Sequence, residues 1–341
     1  MFPMLRPRIA LVTPALSAAN NGNWQTARRW AQMLAPDYRV RVTPAWTAAD
    51  DGGEAALIAL HARRSAPSVM AWRQRHLRGG LVVVLTGTDL YRDIADDATA
   101  QASLELADRL VVLQPLGVRS LPERHRAKAV VCVQSAPART TLPKTTRSLR
   151  ALMVGHLREE KSPQTFFDAA RALAHRGDIL LDHIGRPLDE ALAGEATALT
   201  REQPRYRWLG GLPHGATRAR IQRAHVLVHA SRMEGGAHVV IEAVVSGTPV
   251  LASRIDGNVG LLGEGYAGYF EFGDVRALAT LLEQCRDDPA MLPALRAQCA
   301  ARAEDFRPAH EREVLRTMMR ELLTSLSMSS LPAMPLQETP R

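Results

Sequence analysis

Short runs of β-branched and apolar residues alternate with amphipathic stretches along most of the chain. RIALVTP (8–14), YRVRVT (38–43), LVVVLTGTD (81–89), DRLVVLQ (108–114) and KAVVCVQ (128–134) have the length and composition of strands. Between them, WQTARRWAQMLA (24–35) sets its apolar residues at helical spacing, and EAALIALHARRS (54–65) reads as a second helix. From 134 to 149 the period disappears into QSAPARTTLPKTTRSL, rich in Pro, Thr and Ser, which predicts an interdomain linker. The alternation then restarts. LRALMVG, DILLDHIG, YRWLGG, HVLVHA and PVLAS read as strands, and helices fall over 163–175, from 188, near 215–223, over 237–246, and near 274–286 and 289–303.

Strand–helix alternation of this kind predicts an α/β fold whose parallel sheets are covered on both faces. The expected architecture is two tandem doubly wound, Rossmann-like domains facing a cleft. An N-terminal domain spans 1–138, a linker 139–149 and a C-terminal domain 150–308. A helix over 309–326 can cross back to the N-terminal domain, and a Pro/Ser-rich tail (327–341) is expected to be loose. Ligands in such sheets bind beyond the carboxyl ends of the strands. The loops to inspect are therefore 14–23, 86–93, 155–161, 185–187, 210–214 and 231–236.

Composition narrows the classes. With 46% hydrophobic and 23% charged residues the chain is globular, and its 341 residues suit two cores. Cys132, Cys285 and Cys299 have neither metal-ligand nor paired spacing, which points to a reducing compartment. The start, MFPMLRPR, lacks a secretory core, and the longest apolar runs are strand-length, so the expected location is cytoplasmic. The net charge of +8 is carried almost wholly by arginine, since only residues 128, 144 and 161 are lysine. Spread arginines with 5% aromatic residues disfavour a stacking platform, so no nucleic-acid partner is expected. The charge instead reflects compositional bias or a small anionic partner. Peripheral membrane contact is not favoured, although Arg63, Arg64, Arg73, Arg75 and Arg78 with Trp72 would provide a basic-apolar patch.

Among the loops, 231–236 carries the densest signal. Gly235 and Gly236 follow Glu234 at the start of a helix, leaving backbone N–H groups that suit a phosphate. Glu234 either accepts hydrogen bonds from sugar hydroxyls or is an ordinary helix N-terminal acid. Glu242 sits among Val239, Val240, Ile241, Ala243, Val244 and Val245, so it is buried and must be satisfied. A ribose diol would do this, and so would a buried arginine. In LMVGHLREEKS (152–162), Gly155 ends a strand and Lys161 precedes a Ser-Pro helix start. Lys161, with His156 or Arg158, would face a diphosphate there, or would be a solvated surface group. Asn20, Asn21, Gly22 and Asn23 form an Asn/Gly loop after the first strand, and Thr86, Thr88 and Asp89 lie at another strand end. A turn or cap role is the alternative for the latter three. No P-loop, D-x-D, H-E-x-x-H or G-x-S-x-G occurs, and the Asn/Gly loop after the first strand is not the G-x-G-x-x-G of dinucleotide enzymes, so neither a metal nor a tightly held cofactor is expected.

The series VGHLREEK, HIGRP, YRWLGGLP, HASRMEGG, the E-x7-E pair Glu234/Glu242 and SGTPVLASRIDGN resembles the retaining two-domain (GT-B, family 4-like) glycosyltransferases that use nucleotide sugars. It covers about half of the chain. That resemblance implies that Glu242 holds the ribose and Glu234 the donor sugar, with Lys161, Gly235 and Gly236 at the diphosphate. Gly155, Ala237 and His238 would complete the donor side, and Lys161, Arg158 and His156 would stabilise the leaving group. His156 stands where the family usually has arginine, and the family's acidic residue past SRIDG is not evident in NVGLLGEG. In the N-terminal half, LVTPALSAANNGNWQTARRW and VVLTGTDLYRDI resemble the selenosugar synthases of selenoneine biosynthesis. This implies UDP-N-acetylglucosamine as donor and selenophosphate as acceptor, with the Asn/Gly loop, Thr86, Thr88, Asp89, Arg28 and Arg92 on the acceptor side. The alternatives are a sugar transferase of surface polysaccharide or glycolipid synthesis, and a non-catalytic nucleotide-sugar or nucleic-acid-binding protein.

Overall fold

Two six-stranded sheets, each with all neighbouring strands parallel, organise the chain in a computed structural model that describes residues 6–14 and 22–329. The first contains β1 (Arg8–Val12), β2 (Arg39–Thr43), β3 (Glu54–Leu60), β4 (Gly80–Val84), β5 (Arg109–Val112) and β6 (Ala129–Val131), in the order β2-β1-β3-β4-β5-β6. Its helices are α1 (Gly22–Leu34), α2 (Ala66–Arg75), α3 (Ile94–Asp96), α4 (Ala98–Leu106) and α5 (Glu123–Arg126). The second contains β7 (Leu149–Val154), β8 (Ile179–Ile184), β9 (Tyr206–Trp208), β10 (Val226–His229), β11 (Val250–Ser253) and β12 (Tyr269–Phe270), in the order β12-β11-β10-β7-β8-β9. Around it lie α6 (Pro163–Ala172), α7 (Glu190–Glu202), α8 (His214–Arg223), α9 (His238–Val244), α10 (Asp256–Leu262), α11 (Val275–Asp287) and α12 (Met291–Arg302). The expected α/β class with two doubly wound domains is what the chain adopts.

One element differs from the sequence reading. Residues 54–60 are not helical but form β3, between β1 and β4. Ala56, Ile58 and Leu60 enter one core while Leu57 and Ala59 enter the other, and all five are fully buried. A strand covered on both faces shows no polar alternation, so its apolar run is indistinguishable from a buried helix. The real helix, α2, begins at Ala66, after a turn in which His61 takes φ +75°. This also removes the basic-apolar patch. Trp72 is fully buried, edge-on to Trp46 at 5.0 Å, while Arg63, Arg73 and Arg75 pair with Asp93, Asp108 and Asp51. α4, α10 and β12 are further elements that the periodicity did not resolve.

The last helix, α13 (Pro308–Ser329), returns to the first sheet. Leu315, Met318, Met319 and Leu322, spaced i, i+3, i+4 and i+7, form one buried stripe against Ile9, Leu11, Val82 and Val84. At its start Glu311 is completely buried. Its carboxylate accepts hydrogen bonds from Arg29, Trp30 Nε1 (2.7 Å), and the backbone and hydroxyl of Ser135. One carboxylate thus ties α1, α13 and the segment that joins the two sheets. No helix among the described residues is long and apolar enough to cross a membrane.

Candidate active site

In a doubly wound sheet the loops after two neighbouring strands diverge where the strand order reverses, leaving a crevice. In the second sheet that point lies between β7 and β10. The loop after β7 delivers Lys161 and the loop after β10 delivers Glu234. Lys161 Nζ lies 2.5 Å from Glu234 Oε1, and His229 Nε2, at the end of β10, lies 3.3 Å from the same oxygen. Burial pushes the Glu234 carboxyl up, but the Lys161 charge and the His229 ring outweigh it, and the net shift is well down. Glu234 is therefore a carboxylate held in place by a cation. Ser162, at φ +46°, turns the chain from Lys161 into α6.

Gly235 is required for a reason other than ligand approach. A Cβ there would lie 2.7 Å from the backbone of Thr86 and 2.8 Å from Gly87 N, so the loop after β4 rests directly on it. On the opposite side, a Cβ at Gly257 of α10 would meet the Glu234 carbonyl at 2.2 Å. The Glu234 loop is clamped between the first sheet's loop and α10, which positions its side chain without relying on its own flexibility. Gly236 abuts Leu113 of the first domain in the same way.

Glu242 is buried in α9, as its apolar neighbours require, and its partners are all from the protein. His214 Nε2 lies 2.6 Å from Oε1, Arg218 Nη1 3.5 Å and His238 Nδ1 3.6 Å from it. Burial raises the Glu242 carboxyl, and these three groups bring it below its ordinary value. His214 is more than half exposed, so its contact is the one a ligand could displace. Beyond it, the half-buried ring of His238 has Nε2 3.2 Å from Arg29 Nη1 and 3.1 Å from the Ser135 carbonyl. Burial, and then the Arg29 charge, push the His238 pKa down to about 4, so its ring is neutral near pH 7. His156 is neutral by the same logic, pushed down to about 4 by burial and by Arg186, Arg158 and Lys161. Its Nδ1 accepts the Arg186 N–H at 3.1 Å. It supplies no cation where the family usually has arginine. Arg158, in the same loop as Lys161, is part-exposed and lies 3.9 Å from Glu160.

Across the cleft, Thr86, Thr88 and Asp89 divide their work. Asp89 is fully buried: Oδ1 accepts from the N–H and hydroxyl of Thr86, both at 2.7 Å, and Oδ2 from Ala62 N at 2.8 Å. It braces the loop, the turn role that the sequence left open beside an acceptor contact. Thr88 precedes a π-helical turn over Asp89–Asp93 and accepts from His61 Nε2 at 3.1 Å. His61 Nδ1 accepts from Arg64 N, so the ring proton sits on Nε2 and the Thr88 hydroxyl proton is left to point elsewhere. Burial, reinforced by Arg64 and Arg63, lowers the His61 pKa despite Asp89 and Asp93, which keeps the ring neutral. A non-glycine residue at positive φ costs about 1–2 kcal/mol, a strain characteristic of functional sites. Arg92 pairs with Asp93 and reaches Glu160 of the second domain at 3.6 Å.

Gly22 and Asn23 open α1, while Asn20 and Asn21 lie outside the described residues. Arg28 is exposed, and its neighbour Arg29 is the arginine that meets Glu311 and His238. Arg29, His61, His214, Arg218 and His229 were not singled out from sequence. His61 and His229 both end strands, and reading 54–60 as a strand would have exposed the first. Gly155 contacts the Lys161 stem, and Ala237 is buried at the start of α9. No group of three or more His, Cys, Asp or Glu able to hold a metal ion occurs among the described residues, and the three cysteines are free and buried.

Residues 134–306, about half of the chain, match the family described as glycosyl transferases group 1. No curated protein sequence matches. Among solved structures, HepE of Anabaena in complex with UDP-glucose superposes with a TM-score of 0.75 at 14% identity, over 92% of this chain and 99% of its own. Sucrose-phosphate synthase of Thermosynechococcus elongatus gives 0.74 at 17% identity, over 95% of this chain and 100% of its own. An α,α-trehalose 6-phosphate synthase of Burkholderia multivorans gives 0.66 at 13%, over 82% and 73%. At these identities the likeness is one of fold, and that fold is GT-B. With a family match over the sheet that carries Lys161, Glu234 and Glu242, the chain belongs to the group 1 glycosyl transferases.

Proposed function

We propose that this glycosyl transferase takes its sugar from a UDP-sugar, with UDP-N-acetylglucosamine as the donor, and passes it to selenophosphate. The observation that carries the donor half is the Lys161–Glu234 pair at the crevice between β7 and β10, with Glu242 on the helix that follows. Lys161 and the part-exposed Arg158 would neutralise charge on the departing diphosphate, and Glu234 would hold the sugar hydroxyls. Glu242 would exchange its exposed His214 contact for the ribose diol. The cation at the leaving group is then Lys161, and we propose that no metal is needed. HepE was solved with UDP-glucose, and TarM of S. aureus, similar over 79% of this chain and 55% of its own length with a TM-score of 0.63 at 12% identity, with α-GlcNAc-glycerol and UDP. Both agree with a UDP donor.

The acceptor half rests on the resemblance of residues 11–30 and 83–94 to selenosugar synthases. Two features of the cleft agree with a nucleophile that arrives already ionised. The oxygens of Asp89 are taken up by Thr86 and Ala62, and His61 is neutral with its proton on the nitrogen facing Thr88. A selenophosphate selenium would attack the anomeric carbon, forming C–Se as the C–O bond breaks and its electron pair leaves with UDP. No proton needs to be removed. The test is UDP release and product mass with UDP-N-acetylglucosamine and selenophosphate generated in place, in the presence of a chelator. A selenium-bearing hexosamine, lost in Glu234→Ala and Glu242→Ala, is the expected result. Turnover only with a lipid or sugar hydroxyl acceptor would overturn the acceptor, and absence of UDP-sugar binding would overturn the donor.

A further inference from the structure

Parallel strands covered by helices on both faces are apolar almost throughout. The second sheet breaks this rule at one place. Leu152, Asp182 and Arg207 are register partners across β7, β8 and β9, so their side chains share a face, and Arg150 lies on that face two residues before Leu152. Asp182 is buried, and its carboxylate receives Arg150 Nη1 at 2.7 Å and Arg207 Nε and Nη2 at 2.9 and 2.8 Å. From α8, Arg220 Nη1 stands 3.9 Å away. Arg223, three residues on, is exposed and pairs with nothing among the described residues. These residues line a groove of about 450 Å3.

Three guanidinium groups reach one carboxylate there and a fourth, that of Arg223, lines the same groove, leaving a formal excess of three positive charges in a concavity. Asp182 occupies only part of the five N–H donors that each guanidinium carries, and it fixes two of the four in place. Such a receptor needs little ordering when a ligand arrives. The volume fits a small ligand, and no aromatic ring lines it for base stacking. We propose that this groove is a second ligand site, separate from the transfer cleft, that binds a multiply charged oxyanion of the phosphate–pyrophosphate class. The helix that supplies Arg220 and Arg223 also supplies His214 and Arg218 to Glu242, so one rigid element joins the two sites.

Isothermal titration with pyrophosphate at low ionic strength tests this on the full chain, comparing wild type, Lys161→Ala, Arg223→Ala and Arg207→Ala/Arg223→Ala. The expected result is a site retained in Lys161→Ala, weakened about tenfold in Arg223→Ala and lost in the double variant. Because Arg223 makes no contact that the fold needs, its single variant decides the matter even if the double variant is unstable. Wild-type affinity in Arg223→Ala, or pyrophosphate binding in the wild type that Lys161→Ala abolishes entirely, would overturn the site. So would no binding at all.

Discussion

Lys161 and Glu234 stand 73 residues apart in the chain and 2.5 Å apart in the fold, on loops that leave two adjacent strands at the reversal of strand order. Removing the lysine leaves Glu234 half-buried with only His229 beside it. Lys161→Ala should lower kcat about 100-fold in a UDP-release assay, with a smaller change in donor KM, because in the proposed reading the lost charge acts mainly on the departing diphosphate. An unchanged kcat would remove Lys161 from the chemistry.

Glu242 should behave differently. Its contacts lie at the far end of the donor in the proposed reading, where binding is equal in ground and transition states. Glu242→Gln should raise the donor KM about tenfold and leave kcat within a few-fold. His214→Ala, which removes the exposed partner, should leave donor affinity unchanged or improve it. Steady-state kinetics over a range of donor concentration separates the two outcomes.

Thr88 presents a hydroxyl proton because His61 occupies its lone pair. Thr88→Ser should keep acceptor KM near wild type, and Thr88→Val should raise it with donor KM unchanged. His61→Asn tolerates the left-handed backbone but is too short to reach Thr88. It should reproduce the Thr88→Val kinetics while keeping the wild-type melting temperature within a few degrees.

Glu311 satisfies five donor contacts from inside the protein. Glu311→Ala would leave Arg29, Trp30 Nε1 and the Ser135 N–H without their acceptor, a loss of about 3–5 kcal/mol for a broken buried pair. A melting temperature lowered by several degrees is expected. Because Arg29 also meets His238, donor affinity should fall with it. Differential scanning fluorimetry with and without UDP measures both.

Acid should destabilise the fold through its buried histidines. His183 is fully buried between Phe166 and Phe167, and burial pushes it down to about 4 from 6.5 despite the Gly155 carbonyl. Between those pH values the unfolded chain binds the proton and the folded chain does not, so stability rises with pH across this window and falls as acid is added. His156 and His238 act in the same direction. Urea midpoints measured from pH 7 to pH 4 should decline, and His183→Gln should decline less steeply.

The repeat of strands and helices and the E-x7-E spacing were legible because each is local. Period, length and turn residues are properties of neighbouring positions. Glu242 announced itself through its own helix: a carboxylate surrounded by Val and Ile has to be satisfied by something. What would satisfy it was not legible, since His214 and Arg218 come from another helix.

β3 was misread for the complementary reason. Its alanines and leucines are compatible with either state, and only the presence of β1 and β4 on its two edges makes it a strand. Only as a strand does the segment place His61 just past a strand end, where a site residue is expected.

The sequence by itself determined the class of fold, most of its strands and helices and which loops would hold polar groups, because hydrophobic period and backbone chemistry are written residue by residue. Tertiary structure alone decided which charges meet. It set Lys161 against Glu234, Arg29 rather than Arg28 against Glu311, and the arginines of two strands and a helix around Asp182. Burial makes these pairs matter, and burial depends on what the rest of the chain lays over them.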